Sequence, residues 1–242
     1  MEYKIMTKKL IPLSIAIMTI AVSACNTKNS SIKKEDELKI FTSGDKIFYS
    51  GNISESGYEK VHALASNSDI STLVINSRGG DIVPGMKLGE LVFDKKWDVQ
   101  VQDYCFSSCA NYIFPAGKTK YISKFSQLGW HGGATQQFDE DIIPKEKNDR
   151  ERFTQILTGL IETETAFFKK INVNQESTIY GQIAFNHLEM IKAHSINCIG
   201  WSYSIDGMSA FGMKNIVLID GEWEPSTSFE NSCIHIYDKV KL

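Results

Sequence analysis

One short stretch limits the fold more than any other. Ser71 to Asn76 (Ser-Thr-Leu-Val-Ile-Asn) is a β-branched apolar run, closed by Gly79-Gly80-Asp81. Ile82 to Lys95 then carries Met86, Leu88, Leu91 and Val92 at helical spacing. A strand without polar alternation is buried on both faces, as the strands of parallel sheets are. A glycine turn that leads straight from such a strand into a helix is the unit from which α/β domains are built.

The same alternation extends in both directions. Leu38 to Phe41 and Lys46 to Tyr49 read as short strands around a Gly44-Asp45 turn. Ser54 is placed to cap a helix over Glu55 to Ala65, with Tyr58, Val61 and Ala65 on one face. Val99 and Val101 alternate with Gln100 and Gln102 and predict a further strand. Tyr112-Ile113-Phe114 predicts a short helix stopped by Pro115 and Gly117, and Lys120 to Ile122 and Gln127 to Trp130 predict two more strands. The expected class is α/β, with a mainly parallel sheet and right-handed crossovers.

After His131 the pattern changes. Gly132 to Asn148 is an acidic, loop-like segment, and a long amphipathic helix is predicted from Asp149 to Lys170. Its apolar face comprises Phe153, Ile156, Leu157, Leu160, Ile161, Phe167, Phe168 and Ile171. So broad a face packs on the sheet of its own chain or helps to bury a subunit interface. Residues 172–198 read as mostly helical, Asp206 as the cap of a short helix ending at Phe211-Gly212, and Ile216 to Ile219 as a final buried strand. The tail from Glu222 to Leu242 predicts an added edge hairpin.

The N-terminus reads as a targeting segment. Lys4, Lys8 and Lys9 precede an apolar core from Leu10 to Ala21, and Val22-Ser23-Ala24-Cys25 follows. The apolar run is shorter than the roughly 20 residues that span a bilayer. Residues 1–24 are therefore expected to be a lipoprotein signal peptide, with the lipid carried on Cys25. Residues 25–37, polar and rich in Ser, Lys and Asn, form a tether, and residues 38–242 a single α/β domain. Asn26 after the cysteine is similar to the outer-membrane sorting pattern of lipoproteins, so the expected location is the cell envelope, facing the periplasm. Loss of Lys4, Lys8, Lys9 and Glu2 with the signal moves the formal charge from −3 to −5 (−3 − 3 + 1). No basic run or basic–aromatic interleaving points to nucleic acid.

With Cys25 lipidated, four cysteines remain. An even number in an oxidising compartment favours disulfides, here Cys105 with Cys109 and Cys198 with Cys233. Zinc is the poorer reading, because the cysteines lack paired C-x-x-C spacing. No metal or cofactor is expected.

Three pieces carry chemistry in a workable order. Ser108 follows a strand and a tight turn and precedes a helix, whose free N–H groups favour developing negative charge. A serine needs a base to become a nucleophile, and His131, at the end of a predicted strand, is the best placed. Gly79 and Gly80 let a carbonyl approach their backbone, and with the N–H of Cys109 they form a candidate oxyanion site. Ser107 is the neighbouring alternative, pointed elsewhere by the turn. Each piece also has a plain reading: a helix cap, a surface turn and a tight strand-to-helix link.

The ordered set resembles the Clp protease proteolytic subunit and crotonase superfamily, especially its secreted, Clp-protease-like bacterial branch. Ile75-Asn76-Ser77-Arg78-Gly79-Gly80 is similar to the Ile-Asn-Ser-Pro-Gly-Gly turn of that family, with Arg78 in place of proline. Ser108 falls where the nucleophile stands, nine residues before Gly117, and His131 resembles the base. The resemblance runs from Lys46 to Gly133 and returns around Phe211-Gly212. It implies a spiral of β-β-α units, a Ser–His hydrolase with an oxyanion hole from Gly80 and Cys109, and assembly into rings or trimers. The third member of the family's site is an Asp, whose position falls between Gly181 and Asn197. The polar residues nearest to it are His194 and Asn197, with Asp206 further on or no acid at all. Some relatives use a Ser–Lys pair, but Lys118 and Lys120 are expected to face solvent.

The expected function is thus a secreted, lipid-anchored serine hydrolase acting on peptides or other acyl substrates. The alternatives are a catalytically silent lipoprotein of the same fold that binds peptides or protein partners, and acyl-CoA chemistry, for which no basic CoA-phosphate site is seen.

Overall fold

A computed structural model describes residues 37–138, 140–183 and 198–242. The expected signal peptide, Cys25, the tether up to Asp36, and His194 and Asn197 lie outside them. The first described elements are β1 (Lys39–Ser43) and β2 (Lys46–Ser50), an antiparallel hairpin around Gly44. Helix α1 (Glu55–Leu64) starts at Ser54, whose Oγ accepts a 3.2 Å hydrogen bond from Gly57 N. Then come β3 (Thr72–Ser77), α2 (Ile82–Lys95) and β4 (Asp98–Phe106). Strands β2, β3 and β4 are parallel neighbours, joined through α1 and α2. As the apolar run requires, Leu73, Val74 and Ile75 are all buried.

β4 is longer than its Val/Gln alternation shows, because it changes partners midway. Val101 pairs with Ile75 but Cys105 with Ser77, so β4 carries extra residues across a register shift. Asn76 Oδ1 accepts a 3.1 Å hydrogen bond from Tyr104 N there, in place of a ladder bond. On its other side β4 pairs with β5 (Lys120–Ile122) as far as Val101, then with β6 (Gln127–Gly129) from Tyr104 onward. Such an irregularity bends a strand and re-aims its end.

The chain leaves β4 through a π-helical turn, Cys109–Ile113, in which Phe114 N–H reaches back to Cys109 O. It continues as α3 (Phe114–Ala116). Pro115 does not stop this helix. It sits in the first turn of α3, where its missing N–H is not needed, and the helix ends at Gly117.

Helix α4 (Lys147–Ile171) is the long helix, but its apolar face divides. Phe167, Phe168 and Ile171 are buried, whereas Phe153, Leu157, Leu160 and Ile161 are half-buried and Ile156 is exposed. Beyond it lie a 3₁₀ turn (Gln175–Thr178) and α5 (Tyr180–Ile183). A second sheet is built from β7 (Cys198–Tyr203), β9 (Ser228–Phe229) and β10 (Ser232–Tyr237), in the order β7-β10-β9. The tail therefore does form a hairpin, with its turn at Glu230-Asn231. Between β7 and that hairpin come α6 (Ile205–Ala210) and β8 (Ile216–Leu218). The main sheet runs β1-β2-β3-β4-β5-β8, with β6 also on β4. Trp130 and Trp201 join the two sheets through reciprocal 2.8 Å backbone hydrogen bonds. The domain is thus mixed α/β with a largely parallel main sheet. The cysteine sulfurs pair at disulfide distance as expected, Cys105 with Cys109 and Cys198 with Cys233.

Three further expectations need correcting. β8 is an edge strand, so its side chains are half-buried and Val217 is exposed. The cap of α6 is Ser204, whose Oγ accepts from Gly207 N at 3.1 Å, and Asp206 lies exposed in the first turn. Lys120 does not face solvent: it is 4% exposed, and its ammonium donates to Gly117 O (2.7 Å) and Lys214 O (3.0 Å). These carbonyls make burial tolerable by taking two of its donors.

Burial lowers the Lys120 pKa from 10.5 to about 8, with nearby Asp98 opposing the shift. Between those values the unfolded chain binds more protons than the folded one, so this group makes stability rise with pH. From pH 7.5 to 10, wild type should gain about 2 kcal/mol relative to Lys120→Met. Urea unfolding at both pH values measures this, and parallel stability curves for the two proteins would contradict it.

Candidate active site

Turns following β3, β4 and β6 meet at one end of the main sheet. In the first, Gly79 N donates to Ser77 Oγ (3.1 Å), and Gly79 O accepts from Ile53 N (2.7 Å). Asp81 N donates to Ile53 O at 3.0 Å, while Gly80 N–H has no acceptor among the described residues. Gly79, at φ +97°, has to be glycine: a Cβ there would come within 2.5 Å of Ser107 Cβ and 3.0 Å of Ser108 N. The glycine turn therefore rests directly on the serine turn.

Ser107 has φ +54°, a left-handed conformation that costs a non-glycine residue roughly 1–3 kcal/mol. This swings the chain from β4 into the π-helix and leaves Ser108 as the residue before its first turn. Ser108 caps nothing. It is 2% exposed, and its Oγ makes no hydrogen bond among the described residues. A buried hydroxyl without a partner costs about 1–3 kcal/mol, so few are retained for stability alone. Cys109 N–H is one of the first-turn donors for which a helix has no internal acceptor. The Cys105–Cys109 bridge closes the loop that contains Ser107 and Ser108.

His131 is held beside this turn by its neighbours. Ser107 N donates to Gly129 O (2.9 Å), and Asn111 Nδ2 donates to Gly132 O (2.7 Å). Residues flanking Ser108 thus hold residues flanking His131. A second anchor lies deeper. Glu164 of α4 is fully buried, and its Oε1 accepts from Ala134 N (3.0 Å) and Tyr112 OH (2.6 Å). Its Oε2 accepts from Gln175 Nε2 at 2.6 Å. Burial, then the Glu164 charge, raises the Tyr112 pKa well above its usual range, so the phenol remains a donor.

The surface of His131 is exposed, yet enough protein surrounds the ring that burial pulls its pKa below 6.5, opposed by a hydrogen bond to its own backbone. The shift favours the neutral imidazole, the form a general base needs. It does not bond to Ser108 Oγ in this conformation, since that oxygen has no partner. Beside His131 stands Gly200, whose Cβ, if present, would lie 3.5 Å from His131 Cβ and clash with Trp130 O. That position therefore neither supplies a carboxylate nor has room for one.

Arg78, which replaces the expected proline, reaches away from the turn. Its guanidinium lies over the rings of Phe229 (4.8 Å) and Tyr104 (5.5 Å) and pairs with Glu230. Phe229 in turn packs edge-on against Phe106, with centroids 4.6 Å apart. The C-terminal hairpin is thereby fastened to the glycine turn and to the end of β4.

The structure brings Ser108, Gly79, Gly80, Cys109 and His131 into adjoining segments. Sequence reasoning missed Asn111 and Glu164. Asn111 had no distinguishing signal. Glu164 did: it lies on the stripe that carries Leu160, Ile161, Phe168 and Ile171, where a lone charge must find partners. Among the described residues, no three His, Cys, Asp or Glu side chains converge as a metal-binding group. No protein-family model matches the chain, and no curated protein is similar to it in sequence.

Glu164→Ala would strand two buried donors, Tyr112 OH and Ala134 N, and the half-buried Gln175 amide, and should cost about 3 kcal/mol or more in urea unfolding. Glu164→Gln, which keeps the volume and one acceptor oxygen, should cost less. Equal losses for the two variants, or none, would show that Glu164 is not the anchor.

Proposed function

We propose that this protein is a serine hydrolase built like the Clp protease proteolytic subunit and its secreted relatives, acting on peptides or other acyl substrates. One observation carries the reading: an unbonded hydroxyl, Ser108, waits at a helix mouth between a glycine turn and an anchored histidine biased towards its neutral form. The match of Ile75 to Gly80, Ser108 and His131 to that family's motifs, in the same order, supports it. With the lipid proposed on Cys25, the substrates would be exposed or unfolded chain segments in the cell envelope.

In this mechanism Ser108 Oγ attacks the acyl carbon and its proton passes to His131. The carbonyl oxygen, now an oxyanion, takes hydrogen bonds from Gly80 and Cys109 N–H. His131 then gives the proton to the leaving amine or alcohol, and an acyl-Ser108 ester remains. Water, deprotonated by His131, attacks the ester and frees the acid and the serine. Each oxyanion donor contributes about 2.7–4 kcal/mol to such a barrier.

Two steps must precede attack. The hydroxyl has to be uncovered, and the ring has to close on it. If no carboxylate orients the ring the dyad is slow, since loss of that group in a triad costs about 10⁴ in turnover.

A silent, peptide-binding protein is the second reading. It is favoured by the buried hydroxyl of Ser108.

A fluorophosphonate probe separates the two. Ser108 Oγ should displace fluoride and become phosphonylated, slowly and stoichiometrically. Ser108→Ala should abolish labelling, and His131→Ala should slow it by about 10²-fold or more. Because burial lowers the His131 pKa, the rate should begin to fall at a lower pH than an ordinary imidazole would give. Wild-type protein that stays unlabelled, or a label that survives Ser108→Ala, would favour the silent reading.

A further inference from the structure

A cavity of about 370 Å³ lies at the other end of the sheet, where β4 begins rather than where it meets Ser108. Its rim carries Lys96, Lys118 and Lys214, and Lys120 lies among its lining residues. Among the described residues, no Asp or Glu lines it. Lys96, Lys118 and Lys214 are exposed, and among the described residues none has a carboxylate at ion-pair distance. Phe93, Pro115, Ile171 and Val173 give the cavity an apolar side.

Lysines near helix ends often only offset the helix dipole. Here α2 and α4 both end at the cavity, with Lys96 and Asn172 as their caps. Two helix C-termini amount to about one negative charge, roughly half a charge each. Three exposed ammonium groups and Lys120 exceed that several-fold. Lys120 is also costly to bury, and its two carbonyl acceptors leave one of its three donors over. A like-charged cluster around an open cavity repels itself until an anion enters.

We infer that this cavity is a binding site for a small amphipathic oxyanion, a phosphate monoester with a short apolar tail. The lysine rim and Lys120 hold the phosphate, and Phe93 and Val173 cover the tail. The volume falls in the roughly 300–1,000 Å³ range of small-molecule sites. Ser108 follows the far end of β4 and does not line this cavity, so the inference does not depend on the hydrolase reading.

Calorimetric titration of the purified protein with hexyl phosphate, with inorganic phosphate and with phosphatidylglycerol vesicles tests it. Hexyl phosphate should bind at one site, about tenfold or more tighter than inorganic phosphate, and vesicles should not compete. The surface double variant Lys118→Gln/Lys214→Gln should weaken binding about tenfold or more, as should Lys120→Met with its fold verified by thermal melting. Ser108→Ala should bind as wild type does. Binding that is undetectable, or unchanged in the double variant, overturns the inference. So does binding to vesicles alone, which would assign the lysines to a membrane surface.

Discussion

The candidate site depends on one buried carboxylate. Glu164 has no exposed surface, and its two oxygens take hydrogen bonds from the π-helix, the His131 loop and the 3₁₀ turn after α4. A charge so placed is tolerable only when donors satisfy it. The converse also holds: three segments with no regular ladder between them are fixed by a single group. Packing of Phe167 and Phe168 brings α4 onto the domain, with the Tyr112 ring set edge-on to Phe167 at 5.6 Å. Apolar packing sets the approach of the helix, and the directional bonds of Glu164 set the position of the loop that holds the histidine.

The serine turn is held by close contact instead. Gly79 lets the β3 turn touch Ser107, and Gly85 of α2 leaves room for Ser108, where a Cβ would stand 3.0 Å from Ser108 Cβ. Ser107 is forced left-handed between them. The covalent bridge from Cys105 to Cys109 keeps that strained turn from relaxing. Strain in such a segment has to be supported by its surroundings, and here two glycines, a disulfide and a β4 register shift supply the support. The unbonded hydroxyl of Ser108 lies at the centre of these constraints.

Much of this was readable in the chain. Strand β3 and helix α2 followed from the apolar run and its glycines, and Ser54 announced α1. The disulfide pairs followed from cysteine parity and proximity. Features outside the standard periodicities were not readable. A π-turn adds one residue to a helical repeat and leaves no compositional trace, so Pro115 was misread as a stop. The exchange of β5 for β6 along β4 depends on a register shift that only pairing reveals. Lys120 looked like a surface lysine because its acceptors, Gly117 O and Lys214 O, are backbone atoms 3 and 94 residues away. Asp206 competed with Ser204 for the same cap, and the shorter side chain at the true boundary won. The long helix showed its apolar face correctly, but only its second half found a partner within the described domain.

The central claim is that Ser108 and His131 close on one acyl carbon beside the Gly80 and Cys109 amides. Its most direct test is a crystal structure of the protein after reaction with a small phosphonate ester. Phosphorus should be bonded to Ser108 Oγ, with its free oxygen about 2.7–3.1 Å from both amide nitrogens and the His131 ring turned onto Oγ. An unmodified Ser108, or an adduct whose oxygen points away from Gly80 and Cys109, would contradict the account.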